Sequence, residues 1–212
     1  MTTSILYNES PILGLVFTAA PIAAAYYGST WLTAVLVLLL LFLLYFYRYS
    51  AFNQRFTDDV IVSPACGVVT KMMRLSNGNT LVSVFLSPLD RHTQIYPVNG
   101  VVVKRIYDET GKFNIVTDYY KSRENEKKIH FILTRFGLVK VTQIAGFLPR
   151  RIASSDSVGV SVKAGEYLGM IKFGSRVDVE FPAAFGVAVS EGQRVEIGSL
   201  LARLSLVNRS EK

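Results

Sequence analysis

The sequence predicts a mainly β domain, of β-sandwich or barrel type, preceded by an N-terminal transmembrane helical hairpin. Three observations predict it. Between Glu9 and Arg48 no charged residue interrupts two apolar runs. Beyond residue 50, short runs rich in Val, Ile and Phe alternate with Gly, Pro and Asn, the rhythm of strands and turns, and no useful helical period is present. Half of the 212 residues are hydrophobic, more than a soluble domain requires, and the excess is concentrated near the N-terminus.

The hairpin comes first. Its apolar runs are Pro11 to Tyr27, interrupted by Pro21, and Thr30 to Tyr47, with Gly28-Ser29-Thr30 as the turn between them. A helix over Thr30 to Tyr47 would span roughly 27 Å, against a hydrocarbon core of about 30 Å. Residues 1–48 therefore read as a membrane anchor of one or two transmembrane helices. Tyr26, Tyr27 and Trp31 near one end, and Tyr45 and Tyr47 near the other, suit the two interfaces. A cleaved signal peptide would want positive charge before the apolar run and a small-residue cleavage site after it; neither is present. The first nine residues contain no Lys or Arg, whereas Arg48 and Arg55 follow the second run. The positive-inside rule then puts the large C-terminal part on the cytoplasmic side of the cell membrane.

Residues 49–59 form a polar connector, and 60–212 the β domain. Strands are expected at Val60 to Val62, Gly67 to Met73, Thr80 to Leu86, Gly100 to Tyr107, Lys128 to Thr134, Leu138 to Ala145, Tyr167 to Lys172, Val177 to Phe181 and Ile197 to Leu206. Asn77-Gly78 marks a hairpin between the second and third. Asp108 to Glu126, the longest polar stretch, is expected to be a mobile loop, and one short helix is expected near Phe147 to Ser154. Val158 to Ile171 and Val187 to Leu204 share a Gly-turn-strand rhythm. These half-repeats resemble those of lipoyl and biotinyl carrier domains. Carrier function would use a modified lysine at a hairpin tip, and Met170-Ile171-Lys172-Phe173 offers Lys172.

Composition narrows the chemistry. One cysteine, Cys66, excludes an internal disulfide and any multi-cysteine metal site, and two histidines, His92 and His130, argue against a histidine-rich one. The net charge of +7 can serve nucleic acid or an anionic membrane surface. No basic run interleaved with aromatics supports nucleic acid. Arg48, Arg55, Lys71 and Arg74 could face an anionic leaflet or simply be a solvated surface. The Gly174-Ser175 step has two readings. Glycine between strands is ordinarily a bend. Alternatively, the Ser175 hydroxyl can attack the carbonyl of Gly174 and turn the amide into an ester. Elimination of the ester breaks the chain and leaves a ketone, a pyruvoyl group, at residue 175. Such ketones capture amines and act as electron sinks.

An ordered set of blocks bears on this choice. They are Ser63-Pro64 with Gly67-Val68-Val69; Leu86-Ser87-Pro88-Leu89-Asp90-Arg91-His92; Tyr96-Pro97-Val98-Asn99-Gly100-Val101-Val102; Glu124-Asn125-Glu126; Gln143-Ile144-Ala145-Gly146; Arg150-Arg151-Ile152; and Gly169 to Val177, which contains Phe173-Gly174-Ser175-Arg176. Over residues 60 to 205 the sequence resembles the phosphatidylserine decarboxylase family, in its short membrane-anchored prokaryotic form, archaetidylserine decarboxylases included. The resemblance implies a lyase whose covalent pyruvoyl cofactor derives from Ser175, with Gly174 ending the larger fragment. It implies His92 as the acid/base group and Asp90 as a residue that orients it or fixes its turn. The implied partners are a serine phospholipid, ester- or ether-linked, and the membrane. Fragments 1–174 and 175–212 would stay together, and a homo-oligomer is left open. His130 matches no motif and is assigned to structure.

One position departs from the family pattern. Where the family carries an Asp that helps activate the serine, this chain has Cys66. An ordinary thiol is mostly neutral at pH 7. The departure keeps open an alternative: an uncleaved, inactive, membrane-anchored homologue.

Overall fold

The computed structural model describes residues 2–4, 10–50, 52, 54–112, 114, 119–146, 152–154, 157–172 and 175–205. The chain divides into two compact units, residues 1–51 and 52–212.

In the first unit, β1 (Thr2–Ser4) precedes two helices, α1 (Pro11–Tyr26) and α2 (Thr30–Phe46), and β2 (Arg48–Ser50) closes the unit by pairing antiparallel with β1. Gly28, at φ 72, makes the turn between the helices. The Ser10 and Tyr47 hydroxyls meet at 2.9 Å and tie the two far ends together. The helical hairpin is as expected, but its reach is not. At 16 and 17 residues the helices rise about 24 and 26 Å, short of a hydrocarbon core of about 30 Å. No helix among the described residues is long and apolar enough to cross a membrane, so the expected transmembrane spans are corrected to a pair of shorter apolar helices. Their surface is apolar nonetheless: Ile12, Leu15, Ile22, Trp31 and Leu38 are all exposed.

The second unit is mainly β. Its strands are β3 (Val60–Val62), β4 (Gly67–Arg74), β5 (Thr80–Leu86), β6 (Thr93–Ile95), β7 (Gly100–Asp108), β8 (Lys127–Thr134), β9 (Gly137–Ala145), β10 (Ile152–Ser154), β11 (Ser161–Val162), β12 (Tyr167–Ile171), β13 (Ser175–Phe181), β14 (Phe185–Val187), β15 (Arg194–Val195) and β16 (Leu200–Leu204). An eight-stranded sheet runs β11-β7-β8-β9-β13-β5-β4-β15, and two three-stranded sheets run β10-β12-β6 and β14-β16-β3. Among the described residues, every pairing between these strands is antiparallel. Alternation along the strands selects one face of the large sheet as the core side. Val82 and Val84, Val139 and Val141, and Val177, Val179 and Phe181 share that side with Leu168 and Ile171 of one small sheet and Phe185 and Leu201 of the other. One core therefore joins all three sheets.

Local chemistry explains the β4–β5 hairpin. Gly78 turns at φ 83, and Asn77 Oδ1 accepts the Asn79 amide at 3.0 Å. Gly67 opens β4 because nothing larger fits: a Cβ there would lie 2.0 Å from the Phe85 carbonyl oxygen.

Three local expectations are corrected. Of the proposed helix near Phe147 to Ser154, residues 147–151 lie outside the described residues, and Ile152–Ser154 is a strand. The Asp108 to Glu126 stretch is tied down where it is described. It carries a 3-10 turn at Lys121–Glu124, and the buried Asn125 side chain donates to Asn114 and Ala145 carbonyls at 2.7 and 2.8 Å. Lys172 is not a hairpin tip, because β12 and β13, on either side of it, belong to different sheets. The carrier reading loses its lysine.

Candidate active site

Ser175 is the first residue of β13, not part of a bend before it. It pairs with Leu86 on one side and Ala145 on the other. This position at the head of a central strand puts the side chain on the core face, fully buried. Its Oγ has no hydrogen-bond partner among the described residues. An unsatisfied buried hydroxyl is unfavourable, so its persistence points to a use. Gly174 and Phe173 lie outside the described residues.

His92 is brought to the same end of the sheet. After Leu86 the chain reverses in a turn, with the Asp90 amide donating to the Ser87 carbonyl at 2.9 Å. It returns so that the Ile171 amide donates to the His92 carbonyl at 3.2 Å. The segments 86–92 and 171–175 are thus joined at both ends, by the Leu86–Ser175 pairing and by the His92–Ile171 bond. The imidazole is fully buried, and its Nδ1 lies 2.9 Å from the Asp90 carbonyl oxygen. A carbonyl only accepts, so Nδ1 carries the proton and Nε2 bears the lone pair of the neutral ring.

Asp90 does not touch the ring through its carboxylate. Oδ2 accepts the Ser87 amide at 2.8 Å, and Oδ1 pairs with Arg194. Burial opposes its ionisation, but Ser87 and Arg194 outweigh burial and hold the carboxyl below its usual range. Asp90 therefore fixes the turn whose carbonyl fixes the imidazole.

Cys66, buried in the turn before β4, contacts the same group from the other side. Its Sγ is 3.3 Å from Glu196 Oε2 and 3.8 Å from Asp90 Oδ1. Burial, then the neighbouring Glu196 and Asp90 carboxylates, push the thiol up to about 11. It stays protonated at neutral pH and offers no negative charge in place of the family's Asp.

Sequence reasoning missed four participants. Arg194 and Glu196, on and just after β15, lie more than 100 residues from Asp90 and Cys66. Gln94 donates to the His92 carbonyl at 2.5 Å, Gln143 donates to Gln94 at 2.9 Å, and His130 Nε2 meets Gln143 Oε1 at 2.8 Å. His130, assigned to structure, ends this buried chain. Only Gln143 fell in a recognised block, and amides in strands carry no distinctive spacing.

The residues at 175 fit a pyruvoyl group. The position is buried, flanked by Leu86 and Ala145, and its hydroxyl has no hydrogen bond to give up among the described residues.

Comparison with known proteins gives the family. The family described as Phosphatidylserine decarboxylase matches residues 39–203. A phosphatidylserine decarboxylase proenzyme of Wolbachia sp. subsp. Brugia malayi is 40% identical over 180 residues, covering 79% of this chain and 78% of its own. That of Chlorobaculum tepidum is 34% identical over 179 residues, covering 82% of each. That of Streptomyces griseus is 37% identical over 158 residues, covering 74% of this chain and 71% of its own. With a match across most of its length and relatives above 30% identity, the chain belongs to the phosphatidylserine decarboxylase family.

Proposed function

We propose that this chain decarboxylates phosphatidylserine, or a related serine phospholipid, to the ethanolamine phospholipid after cutting itself between Gly174 and Ser175. Family membership makes it a carboxy-lyase. The observation that carries the self-cleavage is the buried Ser175 hydroxyl at the head of a central strand, without a partner among the described residues.

The chain's own residues account for the steps as follows. Ser175 Oγ attacks the Gly174 carbonyl carbon as its proton leaves to a base, and the acyl group moves from nitrogen to oxygen. Loss of the Ser175 α-proton then expels the Gly174 carboxylate. The unsaturated residue left behind takes up water and releases ammonia, giving the ketone. His92 is the residue proposed to move protons at this end of the sheet, through Nε2, because Nδ1 is committed to the Asp90 carbonyl. When bound at residue 175, the pyruvoyl ketone supplies the electron sink that loss of carbon dioxide requires. His92 would then return a proton to the headgroup carbon.

A second reading rests on Cys66: with a neutral thiol where the family has Asp, the chain could be an uncleaved, inactive homologue. Intact-mass measurement of protein from native expression separates the two. Self-cleavage yields 1–174 and a 175–212 fragment that is one ammonia lighter than simple hydrolysis would give. A population made only of full-length chain sinks the decarboxylase reading.

The apolar hairpin supports attachment to the cell membrane, and Arg48 and Arg55 beside it favour an anionic leaflet, as on the cytoplasmic side. The basic surface is only partly available for this, since Lys71 lies 4.0 Å from Glu191. Full-length protein is expected to float with phospholipid vesicles in a density gradient, and a chain starting at Phe52 to stay at the bottom. Equal flotation of the two overturns the anchor.

A further inference from the structure

We infer that Arg194 is a positioning residue for His92, acting from the far side of the cleavage point. The inference rests on the proposed role of His92. Arg194 lies in the 175–212 segment, on β15, which pairs with β4 through Arg194–Val68. Its guanidinium reaches the Asp90 carboxylate, whose side chain is only 4% exposed. That carboxylate holds the Ser87 amide, and the Asp90 carbonyl holds His92 Nδ1. The path from Arg194 to the imidazole is therefore two contacts long, and Asp90 is its only intermediary.

Glu196 makes a second grip from the same segment. Its Oε2 receives Arg91 at 3.1 Å and the Cys66 thiol at 3.3 Å. The short fragment thus holds two consecutive residues of the histidine turn, 90 and 91, while carrying residue 175 at its own start. One piece of chain thus carries residue 175 and grips the turn that bears the imidazole.

This arrangement orients the ring with a neutral residue at position 66. The imidazole's Nδ1 proton is accepted by a backbone carbonyl, so orienting the ring needs no carboxylate from Cys66. Negative charge in this pocket sits instead on Asp90 and Glu196, and Arg194 and Arg91 balance it.

The test compares Arg194→Gln and Arg194→Lys with Arg203→Gln, an equally exposed arginine of the same segment whose nearest acid is Asp59 at 3.9 Å. Three quantities are followed: the rate at which full-length chain disappears, the melting temperature, and the nitrogen NMR spectrum of histidine-labelled protein, which contains only two imidazoles. Arg194→Gln leaves the buried Asp90 carboxylate without its cation and is expected to melt lower, whereas Arg194→Lys is expected to melt with the wild type, so the histidine spectrum and the rescue by Lys carry the test. Arg194→Gln is expected to slow cleavage roughly tenfold or more, as small misplacements of a reacting group do, and to replace the single Nδ1–H form of His92 by a mixture. Arg194→Lys keeps the charge and is expected to recover most of the rate and the single tautomer. Arg203→Gln is expected to match the wild type. Equal rates for Arg194→Gln and Arg203→Gln, or for the Gln and Lys variants of Arg194, overturn the inference. If the wild-type chain is never cut, the functional reading falls, and the spectrum alone decides: an unchanged His92 tautomer in Arg194→Gln removes the positioning role.

Discussion

Ser175→Ala is expected to leave every chain whole and, at the same time, to make it more stable. The first effect is complete, because the variant has no oxygen to attack the Gly174 carbonyl and nothing to become a ketone. The second follows from burial. The Ser175 side chain is fully buried and its hydroxyl finds no partner among the described residues. Leaving such a hydroxyl unsatisfied costs about 1–3 kcal/mol, and removing one oxygen opens little space. A net gain near 1 kcal/mol raises the melting temperature by roughly 2–4 °C in a chain of this size. The comparison is with full-length wild-type chain. Appearance of the 175–212 fragment from the variant would show that the break has another cause. A lower melting temperature would show that the hydroxyl has a stabilising partner after all. Both effects in the expected direction identify a side chain kept for chemistry against the interest of the fold.

The sequence carried the large sheet well, because long alternating strands leave a period. Thr80 to Leu86 matches β5 residue for residue, and the edges of β4, β7, β8 and β9 were misjudged by one residue at most at either end. The three-residue β3 matches its expected bounds, but β6, β11 and β15 are too short to show any period and were missed. The motif residues told a similar story. Ser175 and His92 stood in recognisable blocks, and chain reversal between Leu86 and His92 brings them to one end of the sheet. What holds them was not legible. The partner of His92 Nδ1 is a backbone carbonyl, which has no signature, and the partners of Cys66 and Asp90 arrive from β15 and the turn after it, across more than 100 residues. The hairpin's apolar character was plain, and each helix starts where its apolar run starts, but the last residue of each run, Tyr27 and Tyr47, is a C-cap, which leaves both helices short of a span.

Arg176 was not marked for a role by its sequence position, yet its loss is expected to be the most damaging single change to the fold. Along β13, Val177, Val179 and Phe181 face the core while Arg176, Asp178 and Glu180 face the other way. Such alternation normally describes a strand with one wet face. Here both faces are buried, because residues 119–124 return across the polar side and roof a cavity of about 280 Å³. Arg176 fastens that roof: it donates to the Tyr119 carbonyl at 3.2 Å and to Ser122 Oγ at 2.5 Å, and it lies 4.5 Å from the Tyr119 ring. It also meets both oxygens of Asp178, at 2.9 and 3.1 Å. Burial already pushes the Asp178 carboxyl above its usual range in spite of this neighbour. Arg176→Met would strip the carboxyl of its cation and release the roof, a loss of about 3–5 kcal/mol by the standard of buried pairs broken on one side. Arg176→Met with Asp178→Leu removes both charges and is expected to recover most of that loss, since an apolar pair of similar volume carries no desolvation penalty. Denaturant melts of the uncut Ser175→Ala background give both numbers free of cleavage. A single variant within 1 kcal/mol of its parent, or a double variant no better than the single, would mean that the roof is held by its other contacts. Arg176, the second residue of β13, would then be a bystander to the stability of the polar side of the sheet.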